Sequence, residues 1–310
     1  MKNNKKILFR ADSSSIIGIG HIMRDLVLAK QFKGADITFA IQNLEGNINQ
    51  KIIDSGYRVE ILNSNDFEEF NKLVNSLHVE MVVIDHYEID FEFEKKLKKY
   101  NPNIKLMVLD DTYEKHYCDI LLNHNISADE KKYKNLVLKN CKLKCGSKYT
   151  LLRDEFITEK KRLQKSPKKK VKITMIFVAM GGADHSNINI KILKVLQNFK
   201  DIKVNLVTTT ANRNLEAVQK YCKDKKWIKL HINSNKIAKL MGKSDFAIVT
   251  PSVTVNEVCF MKLPLIAIKT ASNQDDIYKY LKKKKCFVLK QFSESILNIK
   301  LNLIIKRIKK

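Results

Sequence analysis

The chain has no apolar run approaching the roughly 18 residues that a membrane-spanning helix needs. Its start, MKNNKKILFRADSSS, is basic but lacks an apolar stretch ending in a small-residue cleavage site. That excludes a secretory signal and predicts a cytoplasmic protein. The cysteines at 118, 141, 145, 222, 259 and 286 form no CxxC pair, and no histidine stands at zinc-ligand spacing from them. They read as reduced structural thiols. No internal repeat of 20 to 50 residues is present, which rules out a solenoid. Acidic residues are scarce: 33 Asp and Glu stand against 58 Lys and Arg, for a formal charge of +25. Such an excess points toward nucleic acid or an anionic membrane. The lysines, however, are spread along the whole chain without the interleaved aromatics on which bases stack. The reading is a solvated lysine-rich surface with no nucleic-acid partner, whose positive field favours a polyanionic small substrate.

What is present is strand–helix alternation, twice over. With 310 residues, 44% of them apolar, the chain suffices for two domains with a core each. In the first half KILFRA, DITFAI, YRVEIL, VEMVVID, KLMVLDD, DILLNHN and LKCGSKY read as strands. HIMRDLVLAKQF, NINQKIIDSG and FEEFNKLVNSLH read as helices, the first with Ile22, Leu26, Ala29 and Phe32 on one face. Between Glu159 and Lys170 the pattern stops in EKKRLQKSPKKK, a charged stretch with Pro167 that reads as a linker. The alternation then restarts at VKITMIFVAM and runs to CFVL near residue 289. This predicts two α/β, doubly wound parallel sheets, residues 1–158 and 171–290, with ligands at the carboxyl edges of their strands. The tail from 291 to 310 is basic, with Ile296, Ile299 and Leu303 on a helical stripe. A helix packed back onto the body is favoured there over one lying on a membrane surface.

Gly18-Ile19-Gly20-His21 follows the first strand. A dinucleotide fingerprint would need a glycine where Met23 stands, and an acidic residue where Gln42 and Asn43 stand. A Walker loop would need Gly-Lys-Ser/Thr. Neither is met, so the glycines serve a tight turn that brings a helix start with His21 close to a ligand. The helix dipole disfavours imidazolium there, leaving His21 neutral and able to act as a general base. Packing at the helix start is the competing reading.

In the second half, Gly181-Gly182 between a strand and a helix make a backbone cradle for an anion, with Ser186 and Asn187 as candidate caps. Ser252, Val253 and Thr254 offer a second helix start, and Glu257 one turn in can accept hydrogen bonds from two ribose hydroxyls. Two such starts in one domain fit a diphosphate. Asp85, His86 and Tyr87, and then Asp110 and Asp111, stand where strands leave the sheet. The acidic pair reads as a strand-end turn ahead of a metal site.

With these residues in place the chain resembles the UDP-sugar hydrolases of pseudaminic acid biosynthesis, relatives of the peptidoglycan glycosyltransferase that adds GlcNAc to lipid I. The segments that carry the resemblance are LFRADSSSIIGIGHIMRDLVLAKQF, VVIDHYEID, CDILLN, CKLKCGSKYTLLRDEF, AMGGAD, NKIAKLM and VNE at 255–257. The resemblance implies a GT-B architecture, two Rossmann-like domains facing across a cleft, with sugar on the first and UDP mainly on the second. It also implies hydrolysis of UDP-2,4-diacetamido-2,4,6-trideoxy-β-L-altropyranose, with water attacking the anomeric carbon with inversion, and needing no cofactor or metal. By matching segment, His21 becomes the base, with Gly20 and Tyr87 beside the sugar. Gly181, Gly182, Ser252, Val253 and Thr254 hold the diphosphate, Glu257 the ribose, and Ile232 the uracil through its backbone. Asn273 and Gln274 face the sugar or phosphate. The alternative on the same fold is a glycosyltransferase passing the sugar to an alcohol or lipid-linked acceptor.

Overall fold

Strand β1 (Lys6–Ala11) alternates its side chains across the middle of a sheet, with Ile7, Phe9 and Ala11 in one apolar cluster and Leu8 in the other. A strand buried on both faces is what a parallel sheet covered by helices demands. The computed structural model describes residues 4–165, 172–181, 184 and 187–309. By its contacts the chain divides into two units, Met1–Leu151 and Leu152–Lys310.

In the first unit β1 is followed by α1 (Gly20–Ala29), β2 (Asp36–Gln42), α2 (Asn49–Asp54), β3 (Arg58–Leu62), α3 (Phe67–Ser76) and β4 (Met81–Asp85). Then come α4 (Phe91–Tyr100), β5 (Lys105–Leu109), β6 (Ile120–Asn123) and β7 (Lys142–Cys145). The strands form one parallel sheet in the order β3-β2-β1-β4-β5-β6-β7. The order reverses between β1 and β4, the kind of switch point at which open α/β sheets bind ligands.

The second unit opens with α5 (Asp154–Gln164) and continues through β8 (Thr174–Ala179), α6 (Ile188–Leu196), β9 (Ile202–Thr208), α7 (Leu215–Cys222), β10 (Ile228–Ile232) and α8 (Ile237–Gly242). It ends with β11 (Phe246–Val249), α9 (Val253–Phe260), β12 (Leu265–Ile268), α10 (Asp275–Lys283), β13 (Phe287–Leu289) and α11 (Glu294–Lys309). Its parallel sheet runs β10-β9-β8-β11-β12-β13, with the reversal between β8 and β11.

Two expectations need correction. The stretch read as a linker from Glu159 is helical as far as Gln164, because α5 lies against α8, where Glu155 accepts a hydrogen bond from the Ala238 amide at 3.4 Å. Residues 166–170 lie outside those described. The tail is indeed a helix packed back onto its own unit, against α6 and β13. Its buried face is Leu297, Leu301 and Ile304, however, and the stripe of Ile296, Ile299 and Leu303 points to solvent. Both sets have helical spacing, so periodicity alone could not choose between them. Among the described residues no helix is long and apolar enough to cross a membrane.

The six cysteines are all free thiols, with the Sγ atoms of Cys118 and Cys141 3.6 Å apart.

Candidate active site

His21 is the second residue of α1, 7% exposed, on a helix start whose N-cap, Ile19, makes no side-chain cap. Its Nδ1 lies 3.1 Å from the backbone carbonyl oxygen of Asp85 at the end of β4. A carbonyl can only accept, so Nδ1 carries the proton and Nε2 keeps its lone pair. Burial lowers the His21 pKa below the usual 6.5, with the Asp85 carboxylate opposing it in part. At neutral pH the ring is therefore uncharged, with its basic nitrogen fixed by the bond on the other.

One helical turn further on, Arg24 anchors the carbonyl's owner. Its Nε donates to Asp85 Oδ2 at 2.6 Å, Nη2 donates to Asp85 Oδ1, and Nη1 donates to Asp111 Oδ2 at 2.9 Å. The three bonds tie α1 to the ends of β4 and β5. Burial disfavours the guanidinium, but the Asp85 and Asp111 carboxylates outweigh it and hold Arg24 well above its usual range. Asp25, fully buried, has no such cation to itself, and burial beside the Asp85 charge pushes its acid well up. Both influences favour its protonated form.

Tyr87 closes the other side of His21, the ring centroids 4.8 Å apart and edge to face, with its hydroxyl donating to Asp111 Oδ1 at 2.9 Å. Asp110 spends both oxygens on a strand-end turn, accepting from the Thr112 and Tyr113 amides and the Thr112 and Tyr133 hydroxyls. Among the described residues no three His, Cys, Asp or Glu side chains are grouped to hold a metal ion.

Behind the loop, Asp12 pins the sheet edge. It accepts from Arg10 through both oxygens, from the Gln42 amide at 2.7 Å, and lies 3.0 Å from His86 Nε2. Burial alone would raise its pKa, yet the bonds to His86 and Arg10 hold it well below the usual carboxylate range.

In the second unit the candidate residues sit at the carboxyl ends of four strands. Gly181 follows β8 with φ +86°, a conformation that favours glycine. Gly182 and Ser186 lie outside the described residues. Asn187 stands at the N-cap position of α6 with φ +48° and makes no side-chain cap. The Asp184 carboxylate instead accepts from the Ile188 amide at 2.9 Å and the Asn189 amide at 3.3 Å. An anion already occupies that helix start. At α9 the case differs: Ser252 makes no side-chain cap, so its hydroxyl does not compete for the amides of Val253 and Thr254. Glu257, inside α9, accepts from Arg153 Nη2 at 2.9 Å, and burial raises its pKa against the opposing Arg153 charge. Ile232 ends β10, the sheet's edge strand. Gln274 spends its amide on Thr270, accepting from the backbone N–H at 2.8 Å, while Asn273 beside it is exposed.

Four residues went unassigned in the sequence: Arg24, Asp25, His124 and Arg153. The signal for the first two was available, since His21, Arg24 and Asp25 share a face at i, i+3 and i+4. His124, just beyond β6, is 2% exposed with neither ring nitrogen bonded, and burial helped by the Arg24 charge pushes it down to about 4. Nothing in the sequence marks it.

No family model matches the chain. Among solved structures it is similar to Acinetobacter baumannii MurG, with a TM-score of 0.67 at 12% identity over 98% of this chain and 91% of that one. It is also similar to a glycosyltransferase from Rickettsia africae, with a TM-score of 0.63 at 14% identity over 99% and 91%. Two parallel Rossmann-like sheets and these likenesses define a protein of the two-domain GT-B fold. The sequence goes further. It is 39% identical over 279 residues, 90% of this chain and 97% of the relative, to the UDP-2,4-diacetamido-2,4,6-trideoxy-β-L-altropyranose hydrolase of Campylobacter jejuni. The chain belongs to that hydrolase family, the one its motifs resemble.

Proposed function

We propose that this chain hydrolyses UDP-2,4-diacetamido-2,4,6-trideoxy-β-L-altropyranose to UDP and the free sugar, at the anomeric carbon and with inversion. The observation that carries the mechanism is the bond from His21 Nδ1 to the Asp85 carbonyl, which orients an uncharged base. Water adds to the anomeric carbon as its proton passes to Nε2. The bond from that carbon to the β-phosphate oxygen breaks, and UDP leaves with the electron pair. Backbone amides at α9, around Ser252 to Thr254, and at Gly181 stabilise the charge that develops on it. The α9 start is the stronger candidate, since Asp184 already serves α6. Glu257 is the ribose acceptor, with Arg153 holding its carboxylate in place. Tyr87 and Gly20 border the sugar. Gly20 has open space where a Cβ would stand, so the packing of the chain does not require glycine there. Asn273 is free to face the sugar or phosphate, whereas Gln274 does so only by releasing Thr270.

The test is turnover in ¹⁸O-labelled water. Label is expected in the free sugar, at an anomeric centre inverted at first appearance by proton NMR. Label in UDP or UMP means attack at phosphorus, and no turnover without an added acceptor favours the glycosyltransferase alternative.

The pH profile adds a second expected result. A base with its pKa below 6.5 is already deprotonated above that value and protonates as pH falls. The His21-controlled acid limb of kcat/KM therefore has its midpoint below pH 6.5. A midpoint above 6.5 would show that a different group sets the limb.

A further inference from the structure

The loop leading into His21 carries isoleucines that bury poorly. Ile16 is 95% exposed, Ile17 40% and Ile19 47%. Tyr87, on the other side of His21, is 62% exposed. Of the seven large apolar or aromatic side chains exposed among the described residues of the first unit, three lie in the loop that leads into His21 and the fourth, Tyr87, packs against its ring.

The loop is not slack. The Ser14 and Gly18 amides exchange hydrogen bonds with each other's carbonyls, at 3.3 and 2.8 Å. Ser14 Oγ accepts from the amides of Ile16 at 3.2 Å and Ile17 at 2.9 Å. The Ser15 amide donates to the Glu45 carbonyl at 2.9 Å, and a Cβ on Gly46 would come within 2.9 Å of the Ser15 nitrogen. Backbone bonds and a close glycine thus fix three isoleucines in a displayed position. Apolar surface held against water on a loop that leads directly into a catalytic group is a feature of binding sites.

We propose that Ile16, Ile17 and Ile19 form an apolar rim that selects the sugar by its methyl groups. The inference rests on the hydrolase reading and concerns the same site. The sugar named for the Campylobacter jejuni relative carries acetamido groups at C-2 and C-4 and no hydroxyl at C-6. It therefore presents three methyl groups, and with C-1 bound to UDP its one free hydroxyl is at C-3. An ordinary hexose would present hydroxyls to the same isoleucines, each desolvated without a partner. The rim pays for specificity in exposed apolar surface, and its reward is greatest for the most deoxygenated, acylated sugar.

The test is a cycle between protein and substrate. Ile16→Ser and Ile19→Ser are compared with wild type on the diacetamido substrate and on its 4-formamido analogue, which lacks one methyl. One methyl in an apolar pocket is worth about ten-fold in kcat/KM. Wild type is expected to prefer the diacetamido substrate by about that factor. At least one serine variant should lose most of this preference, chiefly through KM, while Ile19→Val keeps it and inhibition by UDP is unchanged. The exposed positions leave the melting temperature as a fold control. If wild type turns over the substrate and both serine variants keep its preference, or lose equally on both substrates, the rim does not read methyl groups. If wild type does not hydrolyse the substrate at all, the hydrolase reading falls and takes the rim with it.

Discussion

His21→Asn lowers kcat on the UDP-sugar by about 10²- to 10⁴-fold, the range a positioned general base contributes, while UDP binds within about two-fold of wild type. Asparagine can still donate to the Asp85 carbonyl, as Nδ1 does at 3.1 Å, so α1 keeps its seat at the end of β4. It has no basic nitrogen, and that is the change the experiment isolates. Single-turnover release of UDP measures the chemical step, and calorimetry with UDP measures the binding that remains. The His21-dependent acid limb should vanish from the variant's residual rate. A kcat within about ten-fold of wild type would place the base elsewhere. A loss confined to UDP affinity would make His21 a phosphate ligand, which its uncharged state argues against.

Much of the fold was legible because parallel sheets write themselves in uniformly apolar runs. VVID and FAIV need no partner residue to be recognised as strands. The parts that escaped are those whose pattern is mixed. Helix α4, FEFEKKLKKY, has one fully buried leucine, Leu97, in a field of charge, and it is held by the Asp90 cap on the Phe93 amide. Helix α5 looked like a linker because its charges face α8 and solvent while only Phe156 and Glu159 bury. For the tail, the correct element came with the wrong face. In the site, the residues with motif spacing were legible one by one. Their mutual arrangement was not, since Asp85 and Asp111 reach Arg24 from 61 and 87 residues away. His124 and the Asp184 bond to the start of α6 depend on burial and backbone geometry that no local pattern encodes.

Arg24→Met has the largest expected effect on stability. Removing one partner of a buried ion pair costs about 3–5 kcal/mol, because the remaining charge is left in low dielectric without compensation. Here the remaining charge is Asp85, 1% exposed, with buried Asp25 beside it and Asp111 nearby. For a unit of this size that corresponds to a fall in melting temperature on the order of 10 °C. Lysine should not rescue it, since one ammonium cannot replace a fork that reaches two carboxylates. Asp85→Asn in the Arg24→Met background should recover part of the loss by removing the stranded charge. The pH dependence carries a sign. In wild type the Asp85 acid is held below 3.8 by Arg24 against the effect of burial, so the pair's stabilisation is present above that pH and is lost as pH falls through the lowered value. Without Arg24, burial raises Asp85 instead, and the carboxylate takes up its proton at higher pH. The gap in melting temperature between wild type and Arg24→Met is therefore widest near neutrality and narrows toward acid. A gap independent of pH would mean that Arg24 stabilises by packing its aliphatic stem and not by its charge. Because the same Asp85 supplies the carbonyl that orients His21, the folded fraction of the variant should also turn over more slowly, and Asp85→Asn should restore stability without fully restoring that rate.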